Sequence, residues 1–166
     1  YDTKEILNKI FVSLDKIKPS NLIIVGDLLH DVFSTLSLKD QDHKSLSQYM
    51  KNTDFIWIKG NHDKNIQIEG FKNFTNYKID KFLFTHIPIE TSLFQICGHY
   101  HPKVKISHRG KTIFKTSFVH NEKIFILPSF GILTGGLDIN SKQISDVLGK
   151  NNLSIYPVGQ DKVYKL

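Results

Sequence analysis

The chain has 166 residues, 40% hydrophobic and 23% charged, with a formal net charge of +6 at pH 7. That length supports a real core, and the balance is that of a globular chain rather than a disordered one. No apolar run approaches the roughly 18 residues of a membrane-spanning helix. The single cysteine, Cys97, excludes a disulfide framework and a Cys-based zinc site, reads as a small buried hydrophobe, and suits a cytoplasmic protein. The excess positive charge is lysine, with one arginine, Arg109. Spread along the chain, it favours anionic substrates without being a nucleic-acid footprint. Tyr1 is not an initiator methionine, so the natural chain is expected to begin earlier.

Residues 3–17 predict an amphipathic helix: Ile6, Leu7, Ile10, Phe11, Leu14 and Ile17 recur at three- and four-residue spacing, and Pro19 ends it. Asn21 to Gly26 is a continuous apolar strand of the kind covered on both faces, delivering Asp27 at its end. A loop from Leu28 to Ser37 leads to a weaker surface helix over about Leu38 to Met50. Thr53 to Lys59 is a second buried strand. Helix, strand, helix, strand implies α/β architecture with parallel pairing.

After Asn65 the rhythm shortens. Strands are predicted over Phe71 to Ile79, Lys81 to Thr85, Phe94 to Cys97, Val104 to Ser107, Thr112 to Val119 and Lys123 to Leu127. Asn76 to Phe84 reads as a tight hairpin, and Ser129 to Leu137 as a glycine-rich structural turn without the Lys-Ser/Thr of a P-loop. The tail holds two more strand candidates, around Tyr156 and Val163. The expected fold is an α/β sandwich of two mixed sheets flanked by helices, one domain over residues 1–166.

Polar residues cluster where apolar strands end: Gly26-Asp27, then Gly60-Asn61-His62-Asp63, then Thr85-His86, then Gly98-His99-Tyr100-His101. Asp27 and Asn61 lie 34 residues apart, the length of one strand-helix-strand unit. Carboxylate, amide oxygen and imidazole without thiolate suit manganese, iron, zinc, cobalt or nickel rather than a zinc finger. A carboxylate can bridge two such ions about 3.5–4 Å apart, and the pair can bind a phosphate ester and activate a water for in-line attack.

These motifs, in this order, resemble those of the calcineurin-like metallophosphoesterase superfamily. Gly26-Asp-Leu-Leu-His30, Gly98-His-Tyr-His-Pro102, Leu127-Pro-Ser-Phe-Gly131 and Thr134-Gly-Gly136 resemble its ICC-like phosphoesterases, which include the bacterial DNA-ligase-associated enzymes. The resemblance implies a metallophosphoesterase-type α/β sandwich and a hydrolase holding two divalent metal ions, manganese first. It implies that Asp27 bridges both ions, that Asn61, His86 and His99 complete one site, and that His101 serves the other. His62 would face the substrate, stabilise the phosphorane charge and protonate the leaving alkoxide, and Asp63 would hold His62 by a hydrogen bond. The expected reaction is hydrolysis of a phosphate ester, a diester before a monoester, by a metal-bridging hydroxide. The expected substrate is a nucleotide, a cyclic nucleotide or a nucleic-acid end. No membrane partner is expected, and the subfamily implies association with DNA repair proteins.

The superfamily's first motif, Asp-x-His, is missing; Asp2 has lysine two residues on. The expectation is that the first strand precedes Tyr1. His30, Arg109 and Lys64 are candidate substrate contacts, the last two for a phosphate oxygen. His43, His108 and His120 are read as surface side chains. Two other functions compete. One is a non-catalytic scaffold of this fold, which intact motif residues disfavour. The other is a basic nucleic-acid-binding module with a structural metal, which the thiol-free ligand set disfavours.

Overall fold

The computed structural model describes residues 2–28, 40–131 and 134–166. By its internal contacts the chain divides into two compact units, Tyr1–Tyr77 and Lys78–Leu166.

The first unit is helix, strand, helix and two further strands around a three-stranded parallel sheet. Helix α1 (Asp2–Ile17) buries Leu7, Ile10 and Leu14, each contributing about 1.5–3 kcal/mol. It ends where Lys18 turns left-handed at φ 50° and donates its N–H to the Leu14 carbonyl, just before Pro19. Strand β1 (Asn21–Val25), helix α2 (Asp40–Tyr49), β2 (Asp54–Ile58) and β3 (Lys72–Phe74) follow. The sheet order is β1-β2-β3, all parallel, with Asn21 opposite Asp54 and Ile56 opposite Lys72. The central β2 is the most buried strand, with Phe55, Ile56, Trp57 and Ile58 at 2% exposure or less. Phe55 and Trp57 share a face and pack with α1, with Leu46 of α2, and with Phe71.

The second unit carries most of a seven-stranded mixed sheet. Its strands are β4 (Asn76–Ile79, which begins in the first unit), β5 (Phe82–Thr85), β6 (Phe94–Cys97), β7 (Lys103–His108), β8 (Lys111–His120), β9 (Ile124–Ile126) and β10 (Ser154–Pro157). The order is β10-β8-β9-β6-β5-β4, with β7 paired to β8 off that path and bridged at Lys103 to Asp138. β5, β6 and β9 are parallel neighbours, while β8 runs antiparallel to β7, β9 and β10. Helix α3 (Lys142–Leu148) starts at Ser141, whose hydroxyl caps the Ile144 N–H, and buries Ile144 and Leu148 among Val104, Val119, Ile126 and Ile139.

The two-sheet α/β architecture agrees with the expectation from sequence, and three local readings are corrected. Phe71 to Ile79 is not one strand: it breaks at Thr75, so that β3 pairs with β2 while β4 joins the other sheet beside β5. Around Val163 there is only a bridge to Val158. Helix α3 was not predicted, because its apolar positions are only Ile144, Val147 and Leu148, although Ser141 and Gly149 are start and stop signals. Among the described residues, no helix is long and apolar enough to cross a membrane.

Candidate active site

In the first unit, the residues after β1 and those after β2 are locked together by carboxylates. Asp27 sits at φ 48°, a left-handed conformation unusual for a residue with a side chain. Its Oδ1 accepts the His62 backbone N–H at 3.0 Å. Gly60 is pressed against Asp27 so closely that a Cβ there would run into the carboxylate, which is why the motif opens on glycine. Asp63 is fully buried. Its Oδ1 accepts the Gly60 N–H at 2.6 Å and its Oδ2 accepts the Leu28 N–H at 3.0 Å. Burial pushes the Asp63 carboxyl above the ordinary range and the nearby Asp27 charge adds to this, while the two backbone donors and Lys59 pull it down. Asn61 and His62 are exposed on the loop that these bonds hold.

The sequence reading assigned Asp63 to His62 alone. What the structure shows for Asp63 is its bonds to Gly60 and Leu28, which clasp two loops, with one partner 35 residues upstream. Lys64 is exposed and lines a cleft of about 390 Å³ with Lys59, Asn65, Gln67, Asn73, Phe74 and Thr75. Lys59 itself is partly withdrawn from water, its ammonium 3.3 Å from the Trp57 ring centre and bonded to the Ile66 carbonyl. Burial lowers its pKa, and Asp63 partly offsets that.

In the second unit, the ends of the parallel neighbours β5 and β6 bring two imidazoles together. His86 is 4% exposed, and its Nε2 lies 3.2 Å from His99 Nδ1. The rings meet edge to face with centroids 5.0 Å apart, and the Tyr100 ring lies 5.0 Å from His99 on edge. The two nitrogens face each other at hydrogen-bond distance, with the donor and acceptor roles set by the tautomers. His99 and His101 both adopt left-handed backbone, at φ 66° and 46°. Gly136 packs against the His101 carbonyl where a Cβ would clash. Strain of this kind gathers at functional sites, because surrounding structure must enforce it. Cys97, two residues earlier, is wholly buried, and burial pushes its thiol up to about 12, so it is a packing group.

The remaining candidates separate. His30 lies outside the described residues. Arg109 is exposed in the two-residue turn between β7 and β8, at φ 49° beside Gly110 at φ 75°, the type I′ pattern of a tight hairpin. His43 is exposed as expected. His120, read as a surface residue, is half-buried and stacked with both Phe125 and Tyr156, so it belongs to the sheet's packing. The side chain of His108 lies outside the described residues.

Residues 1–157 match the family described as calcineurin-like phosphoesterase. Among solved structures, a nuclease MPE from Pseudomonas putida is similar at 25% sequence identity and a TM-score of 0.78, over 99% of this chain and 78% of that one. No curated protein matches the chain significantly.

Proposed function

The chain belongs to the calcineurin-like phosphoesterase family, and from that premise we propose that it hydrolyses phosphodiesters, with nucleotides or nucleic acid as the substrate class. A metal-dependent phosphoesterase is the reading that the family and the similar nuclease structure share. The diester preference draws on that nuclease and on the ICC-like pattern of Gly98-His-Tyr-His-Pro102.

The observation that carries the reading is the His86–His99 pair, two imidazole nitrogens 3.2 Å apart at adjacent strand ends. With a carboxylate and an amide oxygen from the earlier motifs and no thiolate, this donor set fits a divalent transition metal. Asp27, Asn61, His86, His99 and His101 are the proposed ligands, with manganese first among the metals. When bound, two such ions supply Lewis acidity and an activated water.

The other assignments concern this chain's own groups. His62, exposed on the clasped loop, neutralises charge on the phosphoryl oxygens and gives its proton to the departing alkoxide oxygen. Asp63 keeps that loop in place through the Gly60 and Leu28 N–H groups. Lys64, at the rim of its cleft, is a candidate for holding the non-reacting part of the substrate.

The test compares bis(p-nitrophenyl) phosphate with p-nitrophenyl phosphate for protein reconstituted with manganese. The diester is expected to be the better substrate, and His62→Ala should lower kcat about 10²-fold or more while metal content stays as in the parent. Hydrolysis of the monoester alone would overturn the diester reading. Full turnover in His62→Ala would overturn the role of His62.

A further inference from the structure

The net charge is not spread over the molecule as the sequence reading supposed. Of the 22 basic and 16 acidic residues, five basic and no acidic ones fall between Lys103 and Lys115, which leaves 17 against 16 elsewhere. The wider stretch from Thr91 to Asn121 holds no Asp or Glu at all. Nearly the whole +6 therefore sits on the ribbon of β7 and β8.

Register defines the ribbon's two faces. Lys103 opposes Thr116, Lys105 opposes Phe114 and Ser107 opposes Thr112, so these six share one face. Ser107 and Thr112 confirm it with a 3.0 Å bond between their hydroxyls. On the other face, Val104 is buried and Ile106 packs against the second unit's core, while Lys111, Ile113 and Lys115, nearer the turn or on β8, are exposed, so the first face and the turn carry Lys103, Lys105 and Arg109 of the five cations. At the ribbon's base the first face is half-buried, with the Lys103 ammonium bonded to the Thr134 carbonyl, and beyond it Lys105, Ser107 and Thr112 are exposed, with Phe114 56% exposed. Here an exposed aromatic ring stands directly opposite a lysine and is flanked by hydroxyls, the side-chain types that stack on bases and bond phosphates. The ribbon also grows out of the motif loop: β7 begins two residues after His101, and the Ser117 N–H bonds the Pro102 carbonyl at 2.9 Å.

We propose that this outward face of the β7–β8 ribbon is a binding strip for an unpaired stretch of nucleic acid, with Phe114 stacked on a base and Lys105 and Arg109 on phosphates. Exposed cations at Lys105 and Arg109, on a ribbon and flanking stretch without any acid, select a polyanion. A projecting aromatic selects unpaired bases, whose flat faces a duplex hides along its length. At about 3.3 Å per residue the six residues of β7 give a strip roughly 20 Å long. The inference rests on the phosphodiester reading above and names the part of the substrate that lies beyond the reacting phosphate.

The test is equilibrium binding of fluorescein-labelled oligothymidylate in EDTA, where no metal-dependent cleavage occurs, against a blunt duplex of equal length. The parent should bind the single strand more tightly. Phe114→Ala should weaken it about tenfold, with Phe114→Trp restoring it. Lys105→Glu should weaken binding and reduce the slope of log K against log salt by about 0.7. Lys150→Glu makes the same charge change at an exposed position off the ribbon and should cost less than about threefold. Unfolding temperatures close to the parent's verify that each variant is folded. Parental affinity in Phe114→Ala, an equal loss in Lys150→Glu, or tighter binding to the duplex would each overturn the strip. Diester turnover by the parent is measured separately. If no metal supports it while the binding pattern holds, the hydrolase reading fails and the strip stands; turnover without the binding pattern does the reverse.

Discussion

In the loop after β2, a fully buried side chain does the holding: Asp63 accepts from Gly60 and from Leu28, and Asp27 accepts from His62. In the loop after β6 the constraint lies in the backbone, with His99 and His101 at positive φ and Gly136 against the His101 carbonyl. The first arrangement couples the motif to stability, because removing the clasp strands buried donors. The second leaves the imidazoles less tied to stability, since local strain there works against the fold rather than for it.

Substitutions can break this contrast, and the largest effect is expected at Asp63. Asp63→Ala leaves the Gly60 and Leu28 N–H groups without their acceptor in a buried place and should cost about 3 kcal/mol, read as a fall of roughly 6–12 °C in unfolding temperature. Asp63→Asn, which keeps one acceptor oxygen, should lose less. Gly60→Ala forces a methyl into the Asp27 carboxylate and should cost about 2 kcal/mol by the same melt. His101→Gly relieves a left-handed backbone and should change stability by less than about 1 kcal/mol, yet diester turnover should fall at least tenfold if the imidazole is a ligand. An Asp63→Ala protein as stable as the parent, or a His101→Gly protein that unfolds early, would dissolve the distinction. Ser141→Ala, away from both loops, should cost only about 1 kcal/mol as a lost N-cap.

Cys97 sharpens the comparison at its smallest scale. It lies at the end of β6 and is wholly buried, so native protein should resist alkylation by iodoacetamide and react only on unfolding. Rapid labelling of the native protein would mean that this strand end opens far more readily than its packing implies.

The strand ends were legible because parallel strands are written as unbroken apolar runs, and the residue that follows each run lies at the strand's C-terminal end. Asp27, Asn61, His86 and His99 could be placed on that ground. β1 was expected to be covered on both faces, yet its residues are half-buried or exposed, and of the first two strands only β2 is fully buried beyond Asp54. What stayed hidden depended on partners distant in sequence. The second oxygen of Asp63 serves Leu28, which no local pattern reveals. His120 looked like a surface residue until Phe125 and Tyr156 were seen on either side of it. The charge of the ribbon was visible as five cations without an acid, but only the β7–β8 register shows that Lys105 stands opposite Phe114. Phe71 to Ile79 misled for a related reason: one extended segment serves two sheets, and only pairing shows where it divides.

The most direct test of the central claim is diester turnover by chelator-stripped protein before and after manganese, iron, zinc, cobalt or nickel is returned. The stripped protein is expected to show no turnover, recovery is expected with at least one of these metals, and Asp27→Asn is expected to show none under the same conditions. Full turnover in the stripped protein, or recovery in Asp27→Asn equal to the parent's, would contradict that claim.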